Sequence, residues 1–450
     1  MYKELFALVG ASTQLRGIAV ALLAAVGCSS PAAAPAGSAP GAGGGPGNGS
    51  GDAGDAAGGG SQSDGGGPPV NTSSCAPTNV AWGLPQNLVI HAGTYFKNMT
   101  AADLNRDGKS DIVVLEADGL EVFLSNGDGT FKPGKYYAQP SGLGYAITAG
   151  DFHGTGNWDV LASTSDPADG NSPVAGLFSG NGDGTLSSVP TFVPIGTTYM
   201  LKGIAADMNA DHKVDFVFDN YQFDYNPGVV LNRGGANLGG PLPLAIASGW
   251  TVGDLNGDGA ADIVETPPNR TYTGTCVLMN TGSGQFAAAP TCYAGPTSNG
   301  LMKVAVGDIN GDNKLDAVGV DDGSGGVVDN NIAAYLGKGD GKLNDRVISS
   351  LKKDMLGIAL ADVNNDGKAD FVAFVDGSEA SSLVEILLSN GDGSFAAPIE
   401  MALGRFQSGM EQNPLIADFA GNGLKGIAVQ RSNSTDTNLG IDVVVATCKK

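Results

Sequence analysis

The sequence predicts an all-β fold: a seven-bladed β-propeller with four antiparallel strands per blade, the last blade closed by the N-terminal strand. Three observations predict it. A nine-residue aspartate motif recurs seven times, with successive copies 47 to 56 residues apart, which is the period of propeller blades. A second, glycine-rich motif follows each of the first six copies, and both motifs are bordered by short apolar runs. The 450 residues include 71 Gly and 23 Pro, and no long stretch has the apolar spacing of an amphipathic helix.

In chain order, residues 1–28 read as a lipoprotein signal peptide. Lys3 and Arg16 precede Ile18 to Val26, an apolar or small-residue run too short to persist as a spanning helix. The run ends in Ala25-Val26-Gly27-Cys28, which resembles a bacterial lipobox. That resemblance implies lipidation of Cys28, and Ser29 after it favours the outer membrane over the inner one. The expected location is therefore the outer membrane or cell surface, with the membrane engaged through the N-terminal lipid. Residues 29–78 are dominated by Gly, Ala, Pro and Ser and cannot bury enough surface to offset ordering entropy, so they read as a disordered linker.

Residues 79–450 hold the repeat. Strong copies are DLNRDGKSD (103–111), DMNADHKVD (207–215), DLNGDGAAD (254–262), DINGDNKLD (308–316) and DVNNDGKAD (362–370). Weaker copies are DFHGTGNWD (151–159) and DFAGNGLKG (418–426). The second motif reads SNGDGTF (125–131), GNGDGTL (180–186), NTGSGQF (280–286), GKGDGKL (337–343) and SNGDGSF (389–395), with a blurred NRGGANL at 232–238. Asn-Gly and Asp-Gly between apolar runs mark hairpins, because these residues tolerate positive φ. Unit seven has no such hairpin and supplies three strands, while Asn87 to His91 is a strand without a blade. Pairing the two closes the ring and removes free sheet edges.

The cysteines after Cys28 are even in number, as expected outside the cytosol. Cys75 and Cys448 lie at meeting ends of the closing pair, and Cys276 and Cys292 flank the unit-four hairpin. Disulfides Cys75–Cys448 and Cys276–Cys292 are expected.

Positions 1, 3, 5 and 9 of each strong loop offer side-chain oxygens and position 7 a carbonyl, a donor set suited to Ca2+. The candidate ligands are Asp103, Asn105, Asp107, Lys109 and Asp111 in unit one, and Asp207, Asn209, Asp211, Lys213 and Asp215 in unit three. Units four to six contribute Asp254, Asn256, Asp258, Ala260, Asp262; Asp308, Asn310, Asp312, Lys314, Asp316; and Asp362, Asn364, Asp366, Lys368, Asp370. About five structural Ca2+ sites are expected from these five loops. Unit two, with His153 and Thr155, and unit seven, with Ala420 and Gly426, are expected to bind weakly or not at all. His212 replaces the glycine of position 6 in unit three. Residues 254–265 fit an EF-hand pattern ending in Glu265, but Pro267-Pro268 follows and excludes a second helix.

These units resemble the FG-GAP/VCBS repeats of bacterial surface proteins and integrin α-subunit heads over residues 79–450. The resemblance implies a seven-bladed propeller with calcium in several of its loops.

The formal net charge of −22 excludes a generic nucleic-acid surface. The histidines are His91, His153 and His212, and none stands in a sequence pattern with a serine or cysteine nucleophile. The leading expectation is a non-catalytic binding or adhesion module for an extracellular glycan or protein ligand. Alternatives are a calcium-dependent polysaccharide lyase or hydrolase and a structural part of an envelope assembly. Ligand contacts are sought in the irregular segments 164–174, 219–228, 266–275 and 321–331, with Tyr221, Phe223, Tyr225 and Tyr272 as aromatic candidates.

Overall fold

The apolar runs around each aspartate motif are short and rich in Val, Ile and Ala, and they pair as strands rather than coil into helices. A computed structural model of the chain describes residues 79–91, 95–139, 144–165, 173–193, 195, 200–220, 227–244, 249–266, 274–295, 301–321, 330–351, 355–375, 382–403, 413–431 and 440–449. The segments read above as signal peptide and linker, Cys28 and Cys75 lie outside these residues, and so do Tyr221, Phe223, Tyr225 and Tyr272.

Seven four-stranded antiparallel sheets form the blades. Blade 1 is Phe96–Ala102, Asp111–Glu116, Gly119–Phe123 and Lys135–Ala138; blade 2 is Ile147–Gly150, Asp159–Ser165, Pro173–Phe178 and Thr191–Val193. Blade 3 is Met200–Ala206, Asp215–Asn220, Gly228–Val230 and Leu242–Pro243; blade 4 is Trp250–Gly253, Asp262–Glu265, Thr275–Leu278 and Thr291–Tyr293. Blade 5 is Leu301–Gly307, Asp316–Asp321, Asn330–Tyr335 and Val347–Leu351; blade 6 is Met355–Ala361, Asp370–Val375, Ser382–Leu387 and Ile399–Leu403. Blade 7 takes Leu415–Ala417, Gly426–Arg431 and Gly440–Val444 from the C-terminus and Gln86–Val89 from the N-terminus. The closing register sets Asn87 against Asp442 and Leu88 against Ile441. The expected closure is what the fold shows.

The first strands of the seven blades contact one another in succession, and that of blade 7 contacts that of blade 1. Apolar side chains fill every gap between neighbouring blades. Between blades 1 and 2, for example, Leu104, Val113, Val122, Val160 and Phe178 pack together, and between blades 7 and 1 Phe96, Ile112, Phe419 and Val443 do so. Because both faces of each blade are covered, second strands such as Asp111–Glu116 and Asp370–Val375 are buried along their whole length.

One pairing was not legible in the sequence. Val80–Trp82 pairs with Ala446–Cys448 in a two-stranded sheet outside the blades. Cys448 is disulfide-bonded, and its partner lies outside the described residues. The Cys276–Cys292 bond is present, with its residues directly opposed across the third and fourth strands of blade 4.

Strand order gives the propeller two unlike ends. Aspartate loops and glycine hairpins join strands one to two and three to four at one end. Connections from two to three, and from each blade to the next, leave from the other.

Candidate metal loops and the divergent blade

Each aspartate loop is built around two residues of positive φ. At position 6 these include Gly108 (80°), His212 (61°), Asn313 (60°) and Gly367 (80°). At position 4 they include Arg106 (58°), Ala210 (58°), Gly257 (74°) and Asn365 (61°). The position-6 requirement was read from the sequence; the position-4 requirement was hidden because several of its occupants are not glycine.

The bend wraps the chain around the first aspartate. Asp103 accepts from the Asp107 N–H at 3.0 Å and the Gly108 N–H at 2.8 Å. The same pair recurs in the divergent loops, where Asp151 accepts from Thr155 and Gly156 at 2.9 and 2.7 Å and Asp418 from Asn422 and Gly423 at 3.2 and 2.7 Å. Position 1 is thus a fold residue in every loop.

Position 9 is also a fold residue. Asp111, Asp215, Asp262, Asp316 and Asp370 are fully buried. One oxygen of each accepts from position 2 of its loop, as Asp316 does from Ile309 at 2.8 Å. The other accepts from the first residue of the blade's own hairpin: Ser125, Asn232, Asn280, Gly337 and Ser389 at 2.6 to 2.8 Å. In blade 2, Asp159 does the same with Gly180 at 2.9 Å. Blade 7 has no hairpin, and there Gly426 replaces the aspartate.

The hairpins then reach sideways. Ser125 Oγ donates to the Phe419 carbonyl of blade 7, Asn232 Nδ2 to Phe152 of blade 2, Asn280 Nδ2 to Met208 of blade 3 and Ser389 Oγ to Ile309 of blade 5. Blades 2 and 5 use the N–H of Gly184 and Gly341 on Leu104 and Leu255 instead. Every hairpin therefore binds position 2 of the preceding blade's loop.

Position 5 is exposed or half-buried in each strong loop, and position 3 is half-buried except in blade 6, where Asn364 is buried. In blade 1 the Asn105 Oδ1 accepts from the Asp107 N–H at 3.1 Å, and Lys109 Nζ lies 2.8 Å from Asp107 Oδ2. Lys213, Lys314 and Lys368 make the same contact with Asp211, Asp312 and Asp366; blade 4 has Ala260 there and no ammonium. Burial pushes the ninth aspartates up, to about 7 in Asp111, Asp215, Asp316 and Asp370 and about 6 in Asp262. Backbone N–H groups pull against that shift, and the carboxylates of positions 1 and 5 add to it by repulsion.

Among the described residues no three Asp, Glu, His or Cys side chains are gathered as a ready metal cluster, since the loops close on backbone N–H groups. Donor chemistry still fits a hard dication. A carboxylate oxygen that accepts one N–H retains a second lone pair, and each strong loop has a side-chain oxygen at positions 1, 3, 5 and 9.

Comparison with known families places FG-GAP-like repeats at residues 103–162 and 254–319. The propeller carries FG-GAP-like repeats in these two stretches. No curated protein matches this FG-GAP-like propeller in sequence. Among solved structures it is similar to the BP39L lectin from Burkholderia pseudomallei, at 15% identity and a TM-score of 0.52, covering 79% of this chain and 97% of that one. A protein of unknown function from Dyadobacter fermentans aligns at 10% identity and a TM-score of 0.46, over 82% and 99% of the two chains. At 15% identity the likeness to the lectin is one of fold.

Two polar clusters escaped the sequence reading. In blade 2, His153 Nδ1 lies 2.8 Å from Asp159 Oδ2 and its Nε2 lies 3.5 Å from Ser179 Oγ. No sequence pattern joins this histidine to a serine; the strand pairing brings the two together across a blade from positions 26 residues apart. At the opposite end, buried Glu116 and Glu121 both accept from the His91 N–H, at 3.3 and 2.8 Å. Burial pushes both carboxyls up. The His91 ring stacks on Tyr136 with centroids 4.1 Å apart.

Proposed function

We propose that this FG-GAP-like propeller is a calcium-binding adhesion module that takes glycan or protein ligands at a bacterial surface. In this reading a lipid on Cys28 and the 29–78 segment tether it. The carrying observation is the contrast between its two ends. The loop end repeats one turn in all seven blades and one hairpin in blades 1 to 6. At the other end, the connection between strands two and three is only 117–118 in blade 1, against 166–172, 221–227, 266–274, 322–329, 376–381 and 432–439 in the rest. Variable connections on a rigid scaffold are where recognition is ordinarily carried.

Calcium is supported by which loop positions the fold does without. Blades 2 and 7 make the same bend around Asp151 and Asp418 although positions 3 and 5 are His153 and Thr155, or Ala420 and Asn422. The Asn and Asp of positions 3 and 5 in the five strong loops therefore serve something other than the bend. A dication held by positions 1, 3, 5, 9 and the position-7 carbonyl would neutralise carboxylates that repel one another.

Thermal unfolding in excess Ca2+ and in EGTA, with metal counted by mass spectrometry, tests this part. A calcium-dependent rise in Tm with about five bound ions is expected from five loops; no shift and no bound metal overturns it. A glycan array and a pull-down in excess Ca2+ test the ligand part. Saturable binding that is lost when 221–227 and 266–274 are shortened to two-residue turns is expected. Failure to bind any glycan or protein would overturn it.

A further inference from the structure

Blade 2 departs from the repeat at two positions, and the fold brings these together. Position 3 of its loop is His153, where the five strong loops carry Asn. The residue before its hairpin is Ser179, where blades 1, 3, 4, 5 and 6 carry Leu124, Leu231, Met279, Leu336 and Leu388. In blades 1, 3 and 4 that apolar side chain lies against a glycine of the next hairpin: Gly184, Gly284 and Gly341 respectively. The next hairpin after blade 2 has Ala236 at the corresponding place. A short hydroxyl thus replaces a long apolar side chain beside the one imidazole in the position-3 series.

The arrangement has an order. Asp159 is buried, and its Oδ2 accepts from the His153 N–H at 3.0 Å as well as meeting Nδ1 at 2.8 Å. Its Oδ1 is held by the Gly180 N–H at 2.9 Å. A carboxylate can only accept, so the proton of the neutral ring is on Nδ1 and the lone pair of Nε2 faces Ser179 Oγ. The Ser179 backbone is pinned by its N–H to Ser187 Oγ at 2.9 Å and by the Ser187 N–H to its carbonyl at 2.8 Å. His153 keeps 28% of its side chain exposed and Ser179 is half-buried, so a reagent can reach both.

We propose that Ser179, His153 and Asp159 form a nucleophile, base and orienting carboxylate that react with carboxylic esters. Ser179 Oγ bonds to the ester carbonyl carbon as its proton passes to His153 Nε2. The carbon–alkoxy bond then breaks, and the departing alcohol takes that proton. Water attacks the acyl-serine in the same way, so one ester and one water become one acid and one alcohol. The 3.5 Å gap between Nε2 and Oγ is of the length that closes when substrate binds. The Ser179 and Gly180 N–H groups are spent on Ser187 and Asp159 and do not face a developing oxyanion. Covalent capture and slow turnover of activated short-chain esters are therefore the expected signature. This site is independent of the ligand end proposed above.

The test is labelling of the full propeller with a fluorophosphonate, which bonds its phosphorus to an activated serine and expels fluoride, followed by peptide mass mapping and p-nitrophenyl acetate hydrolysis. The adduct is expected on Ser179 ahead of every other serine. Two variants keep the fold, one by truncation to a side chain that needs no new space and one by restoring the residue of the strong loops: Ser179→Ala should abolish labelling, and His153→Asn should slow it about 100-fold. Both should melt like the parent. Labelling that favours other serines, or that proceeds equally fast in His153→Asn, overturns the proposal.

Discussion

Asp316 holds the N–H groups of Ile309 and Gly337 on its two oxygens, with no exposed surface. Removing its carboxylate leaves two buried donors unsatisfied, at a cost of about 3 kcal/mol. Asp316→Ala is thus expected to lower Tm even in EGTA, whereas a residue that served only as a metal ligand would leave the metal-free melt unchanged. The loop's other strained position offers the reverse experiment. Ala210 lies at φ 58°, where a side chain is crowded by its own backbone. Ala210→Gly should gain about 0.5 kcal/mol after the glycine's larger unfolded-state entropy is counted, read as a shift in urea midpoint. At this scale the sequence displayed the oxygen donors and their spacing. It did not display that position 9 is spent on the hairpin, because the partner lies 14 to 21 residues downstream and is recognised through its backbone. Ser179 was invisible for a related reason: only the strand pairing puts it beside His153.

The strand, loop and hairpin elements were more open to reading. Period, turn chemistry and the missing seventh hairpin led to four-stranded blades and a borrowed closing strand, since each follows from alternation and from the need to pair edges. What a repeat comparison could not show is the sideways bond from each hairpin to the preceding loop. It is made by a serine hydroxyl, an asparagine amide or a glycine N–H, so no single residue type marks it. At this scale the Cys276–Cys292 bond closes a separation of 16 residues, and its removal by Cys276→Ser with Cys292→Ser is expected to cost about 3 kcal/mol in denaturant melts. The metal reading also predicts a difference between loops. Blade 4 lacks the ammonium that lies against the fifth position in blades 1, 3, 5 and 6. Ala260→Lys should therefore weaken its calcium affinity several-fold, measured by titration calorimetry.

For the molecule as a whole, closure rests on the strand Gln86–Val89 and on its fastening to blade 1. His91, two residues beyond the strand, gives its N–H to both Glu116 and Glu121, so the end of the closing strand is tied to the next blade. Both acids hold protons to higher pH in the fold than in the unfolded chain, mainly because they are buried. Above the ordinary glutamate range the fold thus carries more protons than the unfolded chain, and stability falls as pH rises through that window. A Tm that declines from pH 5 to pH 8 is expected, with a shallower decline in Glu116→Gln; an identical slope in the variant would remove the pair as its source. The two ends of the described chain meet on their own, in the ladder of Val80–Trp82 with Ala446–Cys448. Mechanically, that ladder is a strain relief. A tug on the chain ahead of residue 79 loads these three pairs, and through them the covalent backbone of the C-terminal strand, before any tension reaches Gln86–Val89. Drag on the N-terminal segment is diverted around the ring it would otherwise unzip.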